Sequence, residues 1–557
     1  MTKLIIESLS FNDGTTLSIG ENDIVVFVGP NNVGKSQSLH DIYSLLSSEN
    51  TGIVVETIKK RTEGKETIKN DLSAFSIVNA GDYTGAQFKI YGSDIKDFLQ
   101  TEKISKGIAK FLCSLLSTEN RLRLIDPQEK VRDEEVMKHP FHYLERTREL
   151  LPQIKQAFYE AFGGQLHLND YDGKYLSFSI GKESVLIPSD LNGTAVDEAN
   201  KVFKNIFRSL KRLDKQGDGM KSYIGILMNT LVPHYSSFFI DEPESFLHPP
   251  QAYVMGRKIG EMAIDKQLFL STHSESFLKG LMDYHSDRLK IIRITRDGDR
   301  NSVSILDNHG INGIWADPLL RYSNVINSLF YQTTVVCESN TDCKFYRMIN
   351  DQLNAERERV RDVLFIECGG KQRFSIICNA LRSLNIDFRV TPDFDIFRKD
   401  SDAKLLYESC GGDWDNSCAE LWAIVDASLP ENPDEINRDI IRNRINDYLD
   451  GLSSTAIGSQ DKKNLKKLLD GKNKWDIPKE SGLNGIISPD ANHAALKILE
   501  LFNKVNIFPV PVGEMENLIP NSPGHGKGWF TKLIEDHPNL LDDIYNDAKR
   551  YVLSLNL

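Results

Sequence analysis

The chain has 557 residues, 40% hydrophobic and 26% charged; that composition is ordinary for soluble protein, and the length is too great for one hydrophobic core, so two or three domains are expected. A formal net charge of −12 excludes a protein whose whole surface coats nucleic acid and leaves room for a local basic groove. The sequence has no apolar run of membrane-span length, no signal-peptide pattern at its start and no CxxC pair among its seven cysteines; a cytoplasmic protein without membrane association, with reduced and buried thiols, is expected.

Residues 3 to 28 alternate short apolar runs with polar turns (LIIESLSF, TTLSI, DIVVFV), as a β-hairpin followed by a buried strand would. The strand empties into GPNNVGKS, where Gly29, Gly34, Lys35 and Ser36 match GxxxxGK[ST], with Asn31 and Asn32 inside the loop. Helical apolar spacing follows at Leu39, Ile42, Leu45 and Leu46. Strand, glycine loop and helix together make a site for ATP: backbone N–H groups cradle the phosphates, Lys35 reaches the β and γ phosphates, and Ser36 holds Mg²⁺.

Within KISKGIAKFLCSLL (103 to 116), Ile104, Ile108, Phe111, Leu112 and Leu115 fall on one helical face, and 147 to 162 also reads as helix. Residues 101–200 are therefore expected to be a mainly helical insert, flanked by ATPase-domain parts at 1–100 and 201–325. Its helices would either form a dimer surface or pack on the domain's own core. In KVFKNIFRSLKRLDK, Lys201, Lys204, Arg208, Lys211 and Lys215 recur every three or four residues opposite Phe203, Ile206, Phe207, Leu210 and Leu213. That helix is either a track for the DNA backbone or a solvated face.

Further on, the apolar strand Phe238 to Ile240 ends in Asp241 and Glu242. Asp241 would orient Mg²⁺ and Glu242 would polarise the attacking water. A second apolar strand, in QLFLSTHSESFL, delivers His273, a candidate sensor of the γ-phosphate. This set of motifs resembles the ABC-type ATPases of the structural-maintenance-of-chromosomes and RecF kind. The resemblance implies a glycine-containing signature ahead of the acidic strand, here LDKQGDGMKSYIG with Gly217 and Gly219 but without a full LSGGQ. ATP would then be sandwiched between two heads of a homodimer or higher homo-oligomer.

After residue 290 come short β runs and then a new α/β unit: strand TTVVCE, helix TDCKFYRMINDQL, strand VLFIECGG, helix RFSIICNALRSL and strand DFRVTPDFDIF. Such alternation indicates a parallel sheet with functional residues at its C-terminal strand ends. Glu338 ends the first strand; Asp393 and Asp395 follow the third. Carboxylates at neighbouring strand ends repel one another, and Mg²⁺ or Mn²⁺ would reconcile them and activate water for phosphodiester attack. Asp342 is either a further ligand or a helix-start charge. LWAIVDASLP reads as another strand ending in Asp426, which is either a further ligand or merely the end of the sheet's next strand, and the lysine run at 461 to 475 reads as a solvated helix surface and only secondarily as a DNA contact.

A glutamate after the first strand and DxD after the third resemble a TOPRIM domain, here over 326–557 with helical C-terminal additions. An ABC-type head followed by TOPRIM is similar to the OLD (overcoming lysogenization defect) family of ATP-linked nucleases, and the resemblance covers most of the chain. It implies a C-terminal acidic segment and a lysine near the metal site, matched by VPVGEMENLIPNSPGHGKGWF: Glu514 and Glu516 would approach the metals and Lys527 would stabilise the phosphate in the transition state. In FIECGGKQRF, Gly369 and Gly370 fit a tight turn, with Lys371 as a candidate DNA contact.

The family implies an ATP-controlled, metal-dependent nuclease or nickase of double-stranded DNA in bacterial defence against phage. Such chains often work with a helicase, reverse transcriptase or structured RNA, none of which the residues name. The alternative is a DNA-binding ATPase whose TOPRIM-like half is a non-catalytic interaction module, and Ser339, standing where TOPRIM domains carry glycine, speaks for it. A primase or topoisomerase would need a zinc-binding module or a tyrosine-bearing DNA-cleavage domain, and no zinc-like cysteine pattern appears.

Overall fold

The computed structural model describes residues 1–557 except 49, 133–134, 171–173, 182–204, 206–207, 299, 307–312, 314, 322, 356, 358–361, 431–441, 443–444, 447, 451, 453–456, 460, 463–464, 466–473 and 521–527. The chain divides into two compact units, Met1–Arg321 and Tyr322–Leu557. No helix among the described residues is long and apolar enough to cross a membrane. All seven cysteines are free thiols.

The first unit opens with β1 (Lys3–Phe11), which pairs antiparallel with β2 (Thr16–Ser18) and with β4 (Val55–Glu63). Between them runs β3 (Ile24–Val28), buried at all five positions, as a central parallel strand must be. α1 (Lys35–Leu45) follows β3 directly after the glycine loop. A six-stranded sheet places β3 in its interior, in the order β12 (Arg300–Ile305), β11 (Leu289–Asp297), β3, β10 (Gln267–Ser271), β9 (Ser237–Asp241), β5 (Cys113–Leu116). All pairs are parallel except β12 on β11. Register sets Asp241 opposite Ser271, and Ser271 opposite Phe27. Three motif-bearing strands therefore leave the sheet at one edge.

Two expectations for this unit change. The helix read over 103 to 116 is only α2 (Lys106–Leu112); Cys113 to Leu116 leave it to form the edge strand β5, parallel to β9. A short apolar run suits helix and buried strand equally, and the open edge of β9 decided. The described part of 101–200 carries more helix than strand, but after α3 (Leu151–Phe162) the strands β6 (Gln165–Asn169) and β7 (Tyr175–Gly181) form an antiparallel sheet with β8 (Lys211–Arg212). The basic helix expected over 201 to 215 thus ends before Lys211, which pairs with Ile180, and Lys215 sits in a 3-10 turn. Lys201, Lys204, Phe203, Ile206 and Phe207 lie outside the described residues. α4 (Asp218–Thr230) then runs buried from Ser222 onward, and α5 (Pro249–Met262) and α6 (Glu275–His285) complete the unit's helical layer.

In the second unit, β13 (Thr333–Cys337) lies between β14 (Val363–Glu367) and β15 (Asp387–Thr391), all parallel. α7 (Asn340–Ala355) and α8 (Phe374–Ser383) make the crossovers. Residues 506 to 513 run beside β15: Ile507 bridges Val390, Phe508 N donates to the Val390 carbonyl at 2.7 Å, and Phe394 N to the Gly513 carbonyl at 2.8 Å. α9 (Asp400–Ser409) leads to α10 (Asn416–Ser428), which holds the stretch read as a strand ending in Asp426. It is helical because Asp415 caps it, accepting from Cys418 N at 2.9 Å. Asp426 binds Lys474 Nζ at 2.6 Å and Trp475 Nε1 at 2.8 Å, so it is a structural anchor and not a sheet-end ligand. Most of the lysine run at 461 to 475 lies outside the described residues. α11 (Pro489–Lys504) packs on α10, while α12 (Trp529–Asp536) and α13 (Asn546–Ser554) close the core over α7.

Candidate nucleotide and carboxylate sites

At the first unit's sheet edge the loop conformation depends on glycine. Gly29 has φ 143° and a Cβ there would stand 2.1 Å from the Ile294 carbonyl oxygen; Gly34 has φ 103° and opens α1. Asn32 is also left-handed, at φ 62°, a conformation asparagine tolerates better than most residues. Buried Lys35 curls over the loop, donating to the carbonyls of Gly29 at 2.9 Å and Pro30 at 2.7 Å. Ser36 Oγ donates to Asp241 Oδ1 at 2.9 Å, and Ser271 Oγ donates to the same oxygen. An all-oxygen pair from Ser36 and Asp241 beside a phosphate loop suits the hard cation Mg²⁺.

Glu242 turns away at φ 46°, a left-handed conformation that must be held by its surroundings. His273 Nδ1 lies 3.1 Å from Glu242 Oε1. Their hydrogen bond holds the Glu242 carboxyl below, and the His273 imidazolium above, its ordinary value. Glu244 is buried beneath them, accepting from Thr272 Oγ1 at 2.6 Å and His273 N at 3.2 Å. Arg121, also fully buried, donates from Nη1 to the Asp241 carbonyl at 2.7 Å. Ser271, Glu244 and Arg121 were absent from the sequence reading; Glu244 and Ser271 stand within the motif stretches, but Arg121 carries no pattern. Gly217 caps α4, and a Cβ on Gly219 would meet the Phe246 carbonyl oxygen at 2.5 Å. Gly219 thus brings α4 against the turn that leaves the acidic strand.

In the second unit Glu338, Asp393, Asp395 and Glu514 gather at the C-terminal end of the parallel sheet. Glu338 follows β13, and the 3-10 turn Phe394–Arg398 after β15 carries Asp395 with Asp393 at its cap. The 506 to 513 segment brings Glu514 beside them. Burial, then the charges of Asp395 and Asp342, push the Glu338 carboxyl up to about 7, and Lys371 and Lys479 oppose this. Burial, with Glu338 the leading neighbouring charge, drives Asp393 well above the carboxylate range. Glu338 Oε2 is buried with no hydrogen-bond partner among the described residues. Glu516 lies in the 3-10 turn after Glu514. Lys527 lies outside the described residues.

Asp342 takes the helix-start role. Both its oxygens accept from Ser339, Oδ2 from the amide at 3.0 Å and Oδ1 from the hydroxyl at 2.7 Å, while Ser339 Oγ accepts from Thr341 N at 3.2 Å and Asp342 N at 3.4 Å. This is a capping box, and Ser339 is not left-handed, so a side chain is unstrained where TOPRIM domains carry glycine. Gly369 and Gly370, at φ 77° and 113°, form the expected turn, with both amides donating to the Glu338 carbonyl at 3.2 and 3.1 Å. Lys371 Nζ reaches Asp395 Oδ2 at 3.0 Å, facing the carboxylates.

As the side chains stand, no group of three or more His, Cys, Asp or Glu residues among the described residues is placed to hold a metal ion; the lysines take carboxylate oxygens. The donor chemistry fits a hard divalent cation nonetheless: the set is all oxygen, its charges raise one another's affinity for protons, and Glu338 Oε2 is left without a partner.

No family model matches the chain. It is 25% identical over 204 residues to endonuclease GajA of Bacillus cereus strain VD045, covering 36% of this chain and 32% of that protein. It is 29% identical over 204 residues to the OLD nuclease of Thermus scotoductus, covering 34% of this chain and 37% of that protein. The matches span about a third of the length of these curated relatives. Among solved structures, the SMC head domain from Thermotoga maritima superposes with a TM-score of 0.30 at 12% identity, covering 54% of this chain and 99% of that one.

Proposed function

We propose that this chain, a relative of the OLD-family ATPase-nucleases, is an ATP-controlled, divalent-metal-dependent endonuclease or nickase of double-stranded DNA that serves in defence against phage. The observation that carries the reading is the convergence of Glu338, Asp393, Asp395 and Glu514 at one sheet end, with Glu338 Oε2 buried and without a hydrogen-bond partner among the described residues. Glu338, Asp393, Asp395 and Glu514 would hold a divalent cation, which when bound would neutralise them and lower the pKa of a coordinated water. A DNA phosphate would dock beside these carboxylates, where Lys371 adds positive charge.

In the first unit Lys35 and the loop amides would grip the ATP phosphates and Ser36 and Asp241 would hold Mg²⁺. Glu242, restrained by His273, would orient the attacking water. Two such heads would enclose ATP, each giving the Gly217–Gly219 turn to the other, so that dimerisation ties nucleotide state to DNA access. The second reading, a non-catalytic interaction module, loses its motive at Ser339, whose hydroxyl has a local capping task.

Purified protein incubated with supercoiled plasmid, with and without ATP and Mn²⁺ or Mg²⁺, tests this. Metal-dependent nicking or linearisation that disappears in Glu338→Ala while ATP turnover persists is expected, as is loss of ATP turnover in Lys35→Ala. Cleavage surviving Glu338→Ala would place the nuclease elsewhere; no cleavage under any condition would favour the interaction module.

A further inference from the structure

The lysine that approaches the carboxylates from outside the sheet is Lys479. It lies on the short helix Asp476–Ser481, and its Nζ stands 3.1 Å from Glu514 Oε1 and 3.8 Å from Asp395 Oδ2. It thus spans two acids that arrive on different segments, one after β15 and one at the end of the 506 to 513 run. Lys371 pairs with Asp395, at 3.0 Å, and with no second acid among the described residues.

Its placement is built into the backbone. A Cβ on Gly482 would lie 2.0 Å from the Pro511 carbonyl oxygen, and one on Gly513 would lie 2.2 Å from the Lys479 carbonyl oxygen. Both glycines are left-handed, at φ 58° and 104°. Leu483 N donates to the Pro511 carbonyl at 2.9 Å, and Asn517 Nδ2 to the Glu480 carbonyl at 2.8 Å. Two chain segments lie flush where only glycine fits, and that contact delivers both Lys479 and Glu514.

Charge balance gives the position its meaning. Among the described residues, Glu338, Asp342, Asp393, Asp395 and Glu514 face one another, with the ammonium groups of Lys371 and Lys479 beside them. The two lysines neutralise the Asp395 and Glu514 side, while Glu338 Oε2 has no hydrogen-bond partner among the described residues. A divalent cation drawing on Asp395 and Glu514 must compete with Lys479 for their oxygens and meet its charge.

We propose that Lys479 is a built-in counter-cation of the carboxylate site: a positioning residue that bridges Asp395 and Glu514 in the metal-free protein and weakens the site's hold on a divalent metal. The proposal rests on the nuclease reading. It makes metal loading a displacement in which the Lys479 ammonium leaves the carboxylates and becomes available to an approaching phosphate.

Mn²⁺ binding to the full chain, measured without nucleotide by calorimetry or by loss of the free-ion electron-spin signal, tests it. An Asp241→Asn background removes the ATP-site ligand. Lys479→Gln should bind Mn²⁺ about fivefold tighter than the parent, or about 1 kcal/mol, the scale of a partly exposed ion pair. Lys479→Arg, which keeps the charge, should stay near the parent, and Glu338→Gln should bind more weakly. A second neutral variant, Lys479→Met, should repeat the Gln result and covers the case in which Gln fails to fold. Equal or weaker binding by the neutral variants overturns the role of Lys479 while leaving the metal site standing. A parent that binds no Mn²⁺ overturns both.

Discussion

Replacing Ser339 separates the local task of that residue from any demand of the carboxylate site. Its hydroxyl accepts from Thr341 N and Asp342 N and donates to Asp342 Oδ1 at 2.7 Å, and its amide donates to Asp342 Oδ2. Ser339→Ala removes the hydroxyl contacts and keeps the amide one. Loss of such a cap by alanine costs about 1 kcal/mol, up to about 2, whereas glycine costs only a few tenths because the helix end is better hydrated. Asp342 is largely buried, so losing a donor to its carboxylate adds to both variants, on the order of 1 kcal/mol. Ser339→Ala should therefore destabilise the second unit by about 2 kcal/mol and Ser339→Gly by roughly half as much. Urea unfolding followed by tryptophan fluorescence reports it, because Trp414, Trp422, Trp475 and Trp529 all lie in the second unit. Ser339→Gly should also retain metal-dependent cleavage. Glycine as damaging as alanine, or no loss in either variant, would refute the capping argument.

Gly219→Ala, whose Cβ would stand 2.5 Å from the Phe246 carbonyl oxygen, should cost about 1 to 3 kcal/mol of stability in thermal unfolding and lower ATP turnover; an unchanged midpoint would show that α4 can move aside freely. Arg121→Met, which removes the 2.7 Å donor to the Asp241 carbonyl, should lower kcat for ATP about tenfold with little change in KM, Arg121→Lys falling between. A loss confined to KM would refute a role for Arg121 in holding the strand end at Asp241. Burial pushes His234 down to about 3 from 6.5, with Phe75 and Phe111 rings 4.4 and 4.7 Å away. It is neutral in the fold, so stability falls as pH drops below 6.5 and the unfolded chain takes up the proton, the loss continuing toward 3. His234→Phe should remove on the order of 3 kcal/mol of the loss between pH 7 and 4, and parallel stability curves would show that His234 is not buried neutral.

The motifs were legible wherever chemistry demands a fixed local spacing. The spacing of Gly29, Gly34, Lys35 and Ser36 implies a loop between a strand and a helix, and the loop lies between β3 and α1 as that local pattern requires. Glu338 and the Asp393–Asp395 pair were legible for a related reason, since buried strands that end on acids are rare and alternating strand and helix imply a common sheet edge. The assignments at Cys113 to Leu116 and around Asp426 differ from those expected because a short apolar run satisfies strand and helix alike and the available partner decides. An unpaired edge of β9 took the first, and the Asp415 cap secured the second as helix.

The tertiary structure alone determined which distant charges meet. Arg121 reaches Asp241 across 120 positions, and Lys479 reaches Asp395 and Glu514 only because the glycines at 482 and 513 let two chain segments touch. Short-range pattern records what a residue must do with its neighbours in sequence. Electrostatic partnership at a site depends on distance in space, and the sequence contains no period or spacing that encodes it.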